Sequence, residues 1–244
     1  MTNCLTQAKL WVKKSSVSLI TAATDGYFTL WDLTDTMESF YDISFSTLKA
    51  KQSFENSSII PKDIACENRY HVHSNSIKAM DLVPLSDDDA LVVTAGDDSS
   101  IAVSVLRTRL TTSNLGQIGV NTTVATISIP DAHAASVTAL RILRRGNDDG
   151  AGAETLVSRL TLVSSGNDHR VKLWSIALDR SKHLTEAISV EFLLDRYSAV
   201  ADIASLSFLS DPTPEDDSDS RELKLQGKLL VGGAGMEMFE TRVR

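Results

Sequence analysis

Gly166-Asn167-Asp168-His169-Arg170-Val171-Lys172-Leu173-Trp174 decides the fold, because the same chain contains two gapless counterparts of it. These are Ala23-Thr24-Asp25-Gly26-Tyr27-Phe28-Thr29-Leu30-Trp31 and Gly96-Asp97-Asp98-Ser99-Ser100-Ile101-Ala102-Val103-Ser104. A short apolar, β-prone run precedes each: Val17 to Ala22, Leu91 to Ala95, and Leu160 to Ser164. An apolar run, a small-polar-Asp turn and a second alternating run together specify a β-hairpin. Val171 and Leu173 alternate with Lys172 and Trp174, the period of a strand with two distinct faces.

A second repeat lies upstream of two of the hairpins. His73-Ser74-Asn75-Ser76-Ile77-Lys78-Ala79-Met80 aligns with His133-Ala134-Ala135-Ser136-Val137-Thr138-Ala139-Leu140. In both, a His precedes a Ser by three residues and an alternating strand follows. The second copy is lengthened by the Gly- and charge-rich insertion Arg144 to Glu154. Outer strands are expected at Thr123 to Ile129, at Ala187 to Leu194 and at Phe45 to Phe54. Leu5 to Val12 is available as an opening strand. The last segment reads as strands over Ile203 to Leu209, Lys228 to Val231 and Met236 to Phe239, with Gly232-Gly233-Ala234-Gly235 as a turn that lacks the Asp.

Repeats of about 40–45 residues, each a small antiparallel sheet, are the period of WD40 arrays. The chain resembles the WD-repeat family, in which a His, a Ser or Thr, the turn Asp and the strand-end Trp bond to one another inside each blade. The resemblance implies an all-β fold of about four propeller blades. Carried over by residue, it implies a complete network at His133, Ser136, Asp168 and Trp174. It implies shortened ones at His73, Ser76 and Asp98, with Ser104 in the Trp position, and at Asp25 and Trp31. Blades are expected over approximately 1–54, 71–129, 131–195 and 197–240, with a solvated acidic loop at 210–227. Closed propellers hold roughly four to eight blades, and those of this family about seven. The chain therefore reads as the C-terminal portion of a larger propeller, or as an incomplete one.

Composition narrows the function classes. The 244 residues are 42% hydrophobic and 23% charged, with a formal net charge of −8. A chain that grips phosphate backbones alone usually shows a basic stripe. Here Arg141, Arg144 and Arg145 are diluted by Asp148 and Asp149. No apolar run approaches the roughly 18 residues of a transmembrane helix, and the N-terminus lacks the apolar core of a signal peptide. Cys4 and Cys66 are too few for a disulfide framework, so a reducing compartment, cytosolic or nuclear, is the simplest reading, and a cytoplasmic location is expected.

Catalytic readings compete with structural ones at several places. His71 and His73 form an HxH pair, but no third ligand follows at metal-site spacing, so no metal is expected and His71 reads as a loop residue. Asp97-Asp98 and Asp87-Asp88-Asp89 resemble paired carboxylates, yet turn chemistry accounts for both. Ser136, His133 and Asp168 have the residue types of a hydrolase triad without a nucleophile elbow. Gly232 to Gly235 lacks the Lys and helix of a phosphate cradle. No catalytic residue and no cofactor is expected. Trp11 lies outside the repeat phase, and its role stays open between packing and ligand contact.

A narrower resemblance rests on Asp131 to Thr138, Ala199 to Ala204 (AVADIA) and Leu230 to Glu237 (LVGGAGME), in that order. Together they are similar to the C-terminal end of the large WD-repeat protein that accompanies the tRNA anticodon-loop 2′-O-ribose methyltransferase. That resemblance implies a non-catalytic accessory subunit. Its protein partner is the methyltransferase, which holds S-adenosylmethionine, and tRNA is reached through the complex. The alternative is a general WD40 adaptor, such as a ribosome-assembly or ubiquitin-ligase subunit.

Overall fold

The computed structural model describes residues 3–38, 64, 66–112, 118–143, 157–210 and 225–243. It is all-β: four antiparallel sheets in a propeller arrangement. The first sheet has the order β1 (Leu5–Val12), β2 (Val17–Ala23), β3 (Tyr27–Asp32), β4 (Cys66–His71). The second is β5 (Ile77–Pro84), β6 (Asp89–Gly96), β7 (Ile101–Thr112), β8 (Ile118–Ile129). The third is β9 (Val137–Leu143), β10 (Val157–Gly166), β11 (Arg170–Asp179), β12 (Ile188–Tyr197). The fourth pairs β13 (Ala201–Ser210) with β14 (Leu225–Val243). Strands follow chain order within every sheet, so each sheet is one blade.

The core is divided among the seams between blades. Alternate residues of a strand point to opposite faces, and β6 uses both: Leu91, Val93 and Ala95 enter the core shared with the third blade. Ala90 and Val92 enter the core shared with the first, alongside Trp11, Phe28 and Leu30. A third core joins Leu143, Val163, Val171 and Leu173 to Ile203, Leu229 and Val231 of the last blade. A strand covered on both sides has no polar face, which is why the second-strand runs read as continuous apolar stretches. Trp11, left open by the sequence, is fully buried in the seam between the first two blades.

Four expectations need correcting. The outer strand of the first blade is Cys66–His71, paired from Trp31↔Cys66 to Tyr27↔His71. Phe45 to Phe54 lies outside the described residues, and the blade reaches His71, not 54. CENRYH is a polar strand held by Tyr70 against Phe28 at 5.1 Å, and one covered position among those described leaves little periodicity to read. His71 is accordingly a strand residue, its ring tilted against Tyr27 at 4.6 Å. The loop expected at 210–227 is narrower, because Ser210 ends β13 and 225–227 belong to β14; the rest falls outside the described residues.

The fourth correction concerns Gly232 to Gly235, where no break separates two strands: β14 is continuous from Leu225 to Val243. Its pairing with β13 ends at Ala201↔Ala234. Leu229 and Thr241 nevertheless line the same cleft with Leu173 and Arg196. Twelve extended residues would hold them about 40 Å apart, so β14 bends back on itself at its glycines. Gly235 takes φ +139°, open to glycine alone.

Candidate functional site

The three hairpin turns are built alike. In each, the Asp carboxylate accepts the backbone N–H two residues on: Tyr27 to Asp25 at 3.2 Å, Ser100 to Asp98 at 3.2 Å, Arg170 to Asp168 at 3.0 Å. This Asx turn places the intervening residue in the left-handed region. Gly26 has φ +79°, Ser99 +63° and His169 +58°. The carbonyl of that residue then faces the next blade. Gly26 O accepts from His73 N at 3.1 Å, Ser99 O from His133 N at 3.2 Å, and His169 O from Ser198 N at 2.8 Å.

A histidine tethered to the preceding blade by its backbone reaches into its own blade with its ring. Nδ1 of His133 donates to Asp168 at 3.0 Å, and Asp168 also accepts from Ala134 N at 3.0 Å. Nε2 accepts from the Ser164 hydroxyl at 2.8 Å, and Ser164 in turn accepts from Trp174 Nε1 at 2.9 Å. This assignment gives a neutral imidazole one donor and one acceptor role. Burial pushes the His133 pKa below its ordinary value against the opposing pull of Asp168, in keeping with that neutral state. Burial acts to raise the Asp168 carboxyl, but hydrogen bonds from His133 and the Ala134 and Arg170 amides outweigh it and leave the pKa below the usual value. Asp98 is lowered in the same way, with His73, Ser100 and the Ser74 amide outweighing burial.

The structure thus joins His133, Asp168 and Trp174, but the serine between them is Ser164. Ser136 is excluded: its hydroxyl donates to Asp97 of the second blade at 2.6 Å. It sits just before β9, and its hydroxyl faces that blade's turn. In the second blade His73 binds Asp98 at 2.9 Å and Thr94 at 2.9 Å. Ser76 is again outside the network, its buried hydroxyl lacking a hydrogen-bond partner among the described residues. Ser104, in the Trp position, turns to Thr126 at 2.8 Å instead. In the first blade Trp31 donates to Thr21 at 2.8 Å, while Asp25 is held by Arg69 and Asn3. Thr21, Thr94 and Ser164 each stand four residues before the turn Asp. That constant spacing was the available signal for the true hydroxyl.

Two further features carry no local sequence signal. In the last blade Glu237 takes the place of the turn Asp: it accepts from the Ser198 hydroxyl at 2.8 Å and from Ala199 N at 3.0 Å. Ser198 occupies the lead position held elsewhere by His. At the inner strands, buried Asp81 links three blades. Lys9 approaches one oxygen at 3.3 Å, and the other accepts Ile142 N at 2.9 Å with Arg141 at 3.9 Å.

Among the described residues no three His, Cys, Asp or Glu side chains are grouped to hold a metal ion. No described helix is long and apolar enough to cross a membrane. Cys4 and Cys66 are free thiols. Asp87 and Asp89 are engaged by Lys14 at 2.6 Å and Arg107 at 3.1 Å.

The family described as "WD domain, G-beta repeat" matches residues 64–103, a span that holds His73, Thr94 and Asp98. Residues 64–103 therefore match one WD40 repeat. No curated protein matches the chain in sequence. Among solved structures, the WD40 domain of SCAP from fission yeast aligns at a TM-score of 0.45 and 9% identity, over 100% of this chain and 45% of that one. The chain thus spans less than half the length of that structure.

Proposed function

We propose that this chain is a non-catalytic WD-repeat scaffold whose loops and sheet edges hold a protein partner. The observation behind this reading is the burial of His133 and its bonded partner Ser164. Both ring nitrogens are committed within the blade, to Asp168 and to Ser164, and the triad-like Ser136 is turned away to Asp97. A triad histidine is bonded in the same way, to a carboxylate and a hydroxyl. But a general base must also be within reach of a substrate, and here His133 is 2% and Ser164 0% exposed. The polar residues that invite a catalytic reading serve to order the blade.

The partner we propose is a tRNA 2′-O-ribose methyltransferase in the cytoplasm, with tRNA held through the complex. Support comes from the ordered sequence resemblance of Asp131 to Thr138, Ala199 to Ala204 and Leu230 to Glu237. The test is co-purification of the full chain from cells, with proteins and bound RNA identified. Enrichment of a ribose methyltransferase and tRNA is the expected result. Recovery of a ribosome-assembly or ubiquitin-ligase complex in their place would keep the scaffold and replace the partner.

A further inference from the structure

The blade seams assign an occupant to two faces that no described sheet covers. In the third blade the cross-strand row Ile142↔Leu162↔Trp174 is buried against the second blade. In the second, Leu82↔Val92 packs against the first blade in the same register. The corresponding row of the first blade is Leu10↔Leu19↔Trp31, and no described sheet covers it. Leu10 is 54% exposed where its counterpart Ile142 is 6% exposed. At the other end, Leu229 and Val231 of β14 face the third blade. Alternation therefore turns Leu230 and Gly232, with their partners Ser207 and Ser205, outward. These four line a shallow cleft of about 370 Å³ with Met236, which is 74% exposed.

We propose that the Leu10–Leu19–Trp31 face of one copy seats on the Ser205–Ser207–Leu230–Met236 face of a second copy, so that two copies close a ring of eight blades. At the first two of the three seams the occupant of this row is the trailing face of a preceding blade, and among the described sheets the last blade alone has that face free. The contact continues an interface the chain already repeats. Protruding Leu10 meets a cleft floored by Ser and Gly, and Lys228, on the same outward side of β14 as Leu230, is the charged neighbour of that cleft. Head-to-tail contacts of this kind form a ring where the rotation closes and a filament where it does not. Eight blades fall within the four to eight at which propellers close.

Sedimentation equilibrium on the full chain over a concentration series tests this. A mass of twice 26.5 kDa is expected. Leu10→Glu and Met236→Lys, each on a different face, should each raise the dissociation constant by about tenfold or more. Their equimolar mixture should associate again, because one wild-type contact survives between unlike variants. A wild-type chain that stays monomeric at every concentration, or that grows beyond two copies, overturns the two-copy ring whether or not the variants fold. A dimer indifferent to both substitutions overturns the assigned faces.

Discussion

The Ser164 hydroxyl lies 2.8 Å from Nε2 of His133 and is the hinge of a bonded series running from Trp174 to Asp168. Its removal leaves two buried ring nitrogens without a partner. An unsatisfied buried polar group costs about 1–3 kcal/mol. Ser164→Ala is expected to lower stability by about that amount in urea unfolding. Ser136→Ala, which removes a half-buried bond to an Asp97 that Lys78 also holds at 3.1 Å, should cost less than about 1 kcal/mol. The reverse order would return Ser136 to the network.

Acid should weaken the fold in two stages. The folded pKa of His133 lies below its ordinary 6.5, so the unfolded chain binds the proton first. Stability contributed by the neutral ring is complete above 6.5 and declines as pH falls below it. Asp98 and Asp168 are held below the ordinary 3.8, so their contribution is present above that value and is lost as pH falls through their folded pKa values. Urea midpoints measured from pH 8 to pH 3 should fall in both windows. A flat profile between pH 7 and pH 5 would contradict a buried neutral His133.

The left-handed turn residues differ in strain. Ser99 at φ +63° bears a Cβ where Gly26 bears none, and that conformation costs an L-residue roughly 1–2 kcal/mol. Ser99→Gly should raise the melting temperature, the gain being reduced by the added freedom of the unfolded chain. Gly26→Ala should lower it sharply, because the new Cβ would stand 2.0 Å from the His73 carbonyl oxygen. Equal melting temperatures for Ser99→Gly and the wild type would show that the turn is unstrained.

Asp81 ties Lys9 of the first blade to the Ile142 amide of the third. Asp81→Ala should destabilise the chain by about 1–3 kcal/mol through the orphaned amide and the buried space left behind. Asp81→Asn keeps an acceptor and should lose less. Hydrogen exchange at Ile142 reports the difference directly: unchanged protection in Asp81→Ala would disprove the bond.

Blade four offers a local test. Glu237→Ala removes the acceptor of Ser198 and Ala199 N. Faster amide exchange confined to Ala199 and its neighbours is expected, with the first blade unaffected.

The legible parts of this fold were those written in local spacing. The Asp25, Asp98 and Asp168 turns, the His73 and His133 leads and the strands around them follow from chemistry acting over a few residues, repeated three times. The outer strand Cys66–His71 was not legible, since one covered aromatic among polar neighbours leaves no periodic signal. Neither was Glu237, whose carboxylate is delivered by a bent strand instead of a tight turn.

Sequence alone determined that this chain is a series of antiparallel blades with an Asp-centred turn in three of them, because Asx turns and strand alternation are set by near neighbours. Tertiary structure decided which hydroxyl each histidine meets. Ser136 is closer in sequence to His133, but strand register places Ser164 beneath the ring and turns Ser136 toward Asp97. Tertiary structure also decided that Asp81 joins three blades and that Trp11 closes a seam, since both depend on which blade faces which.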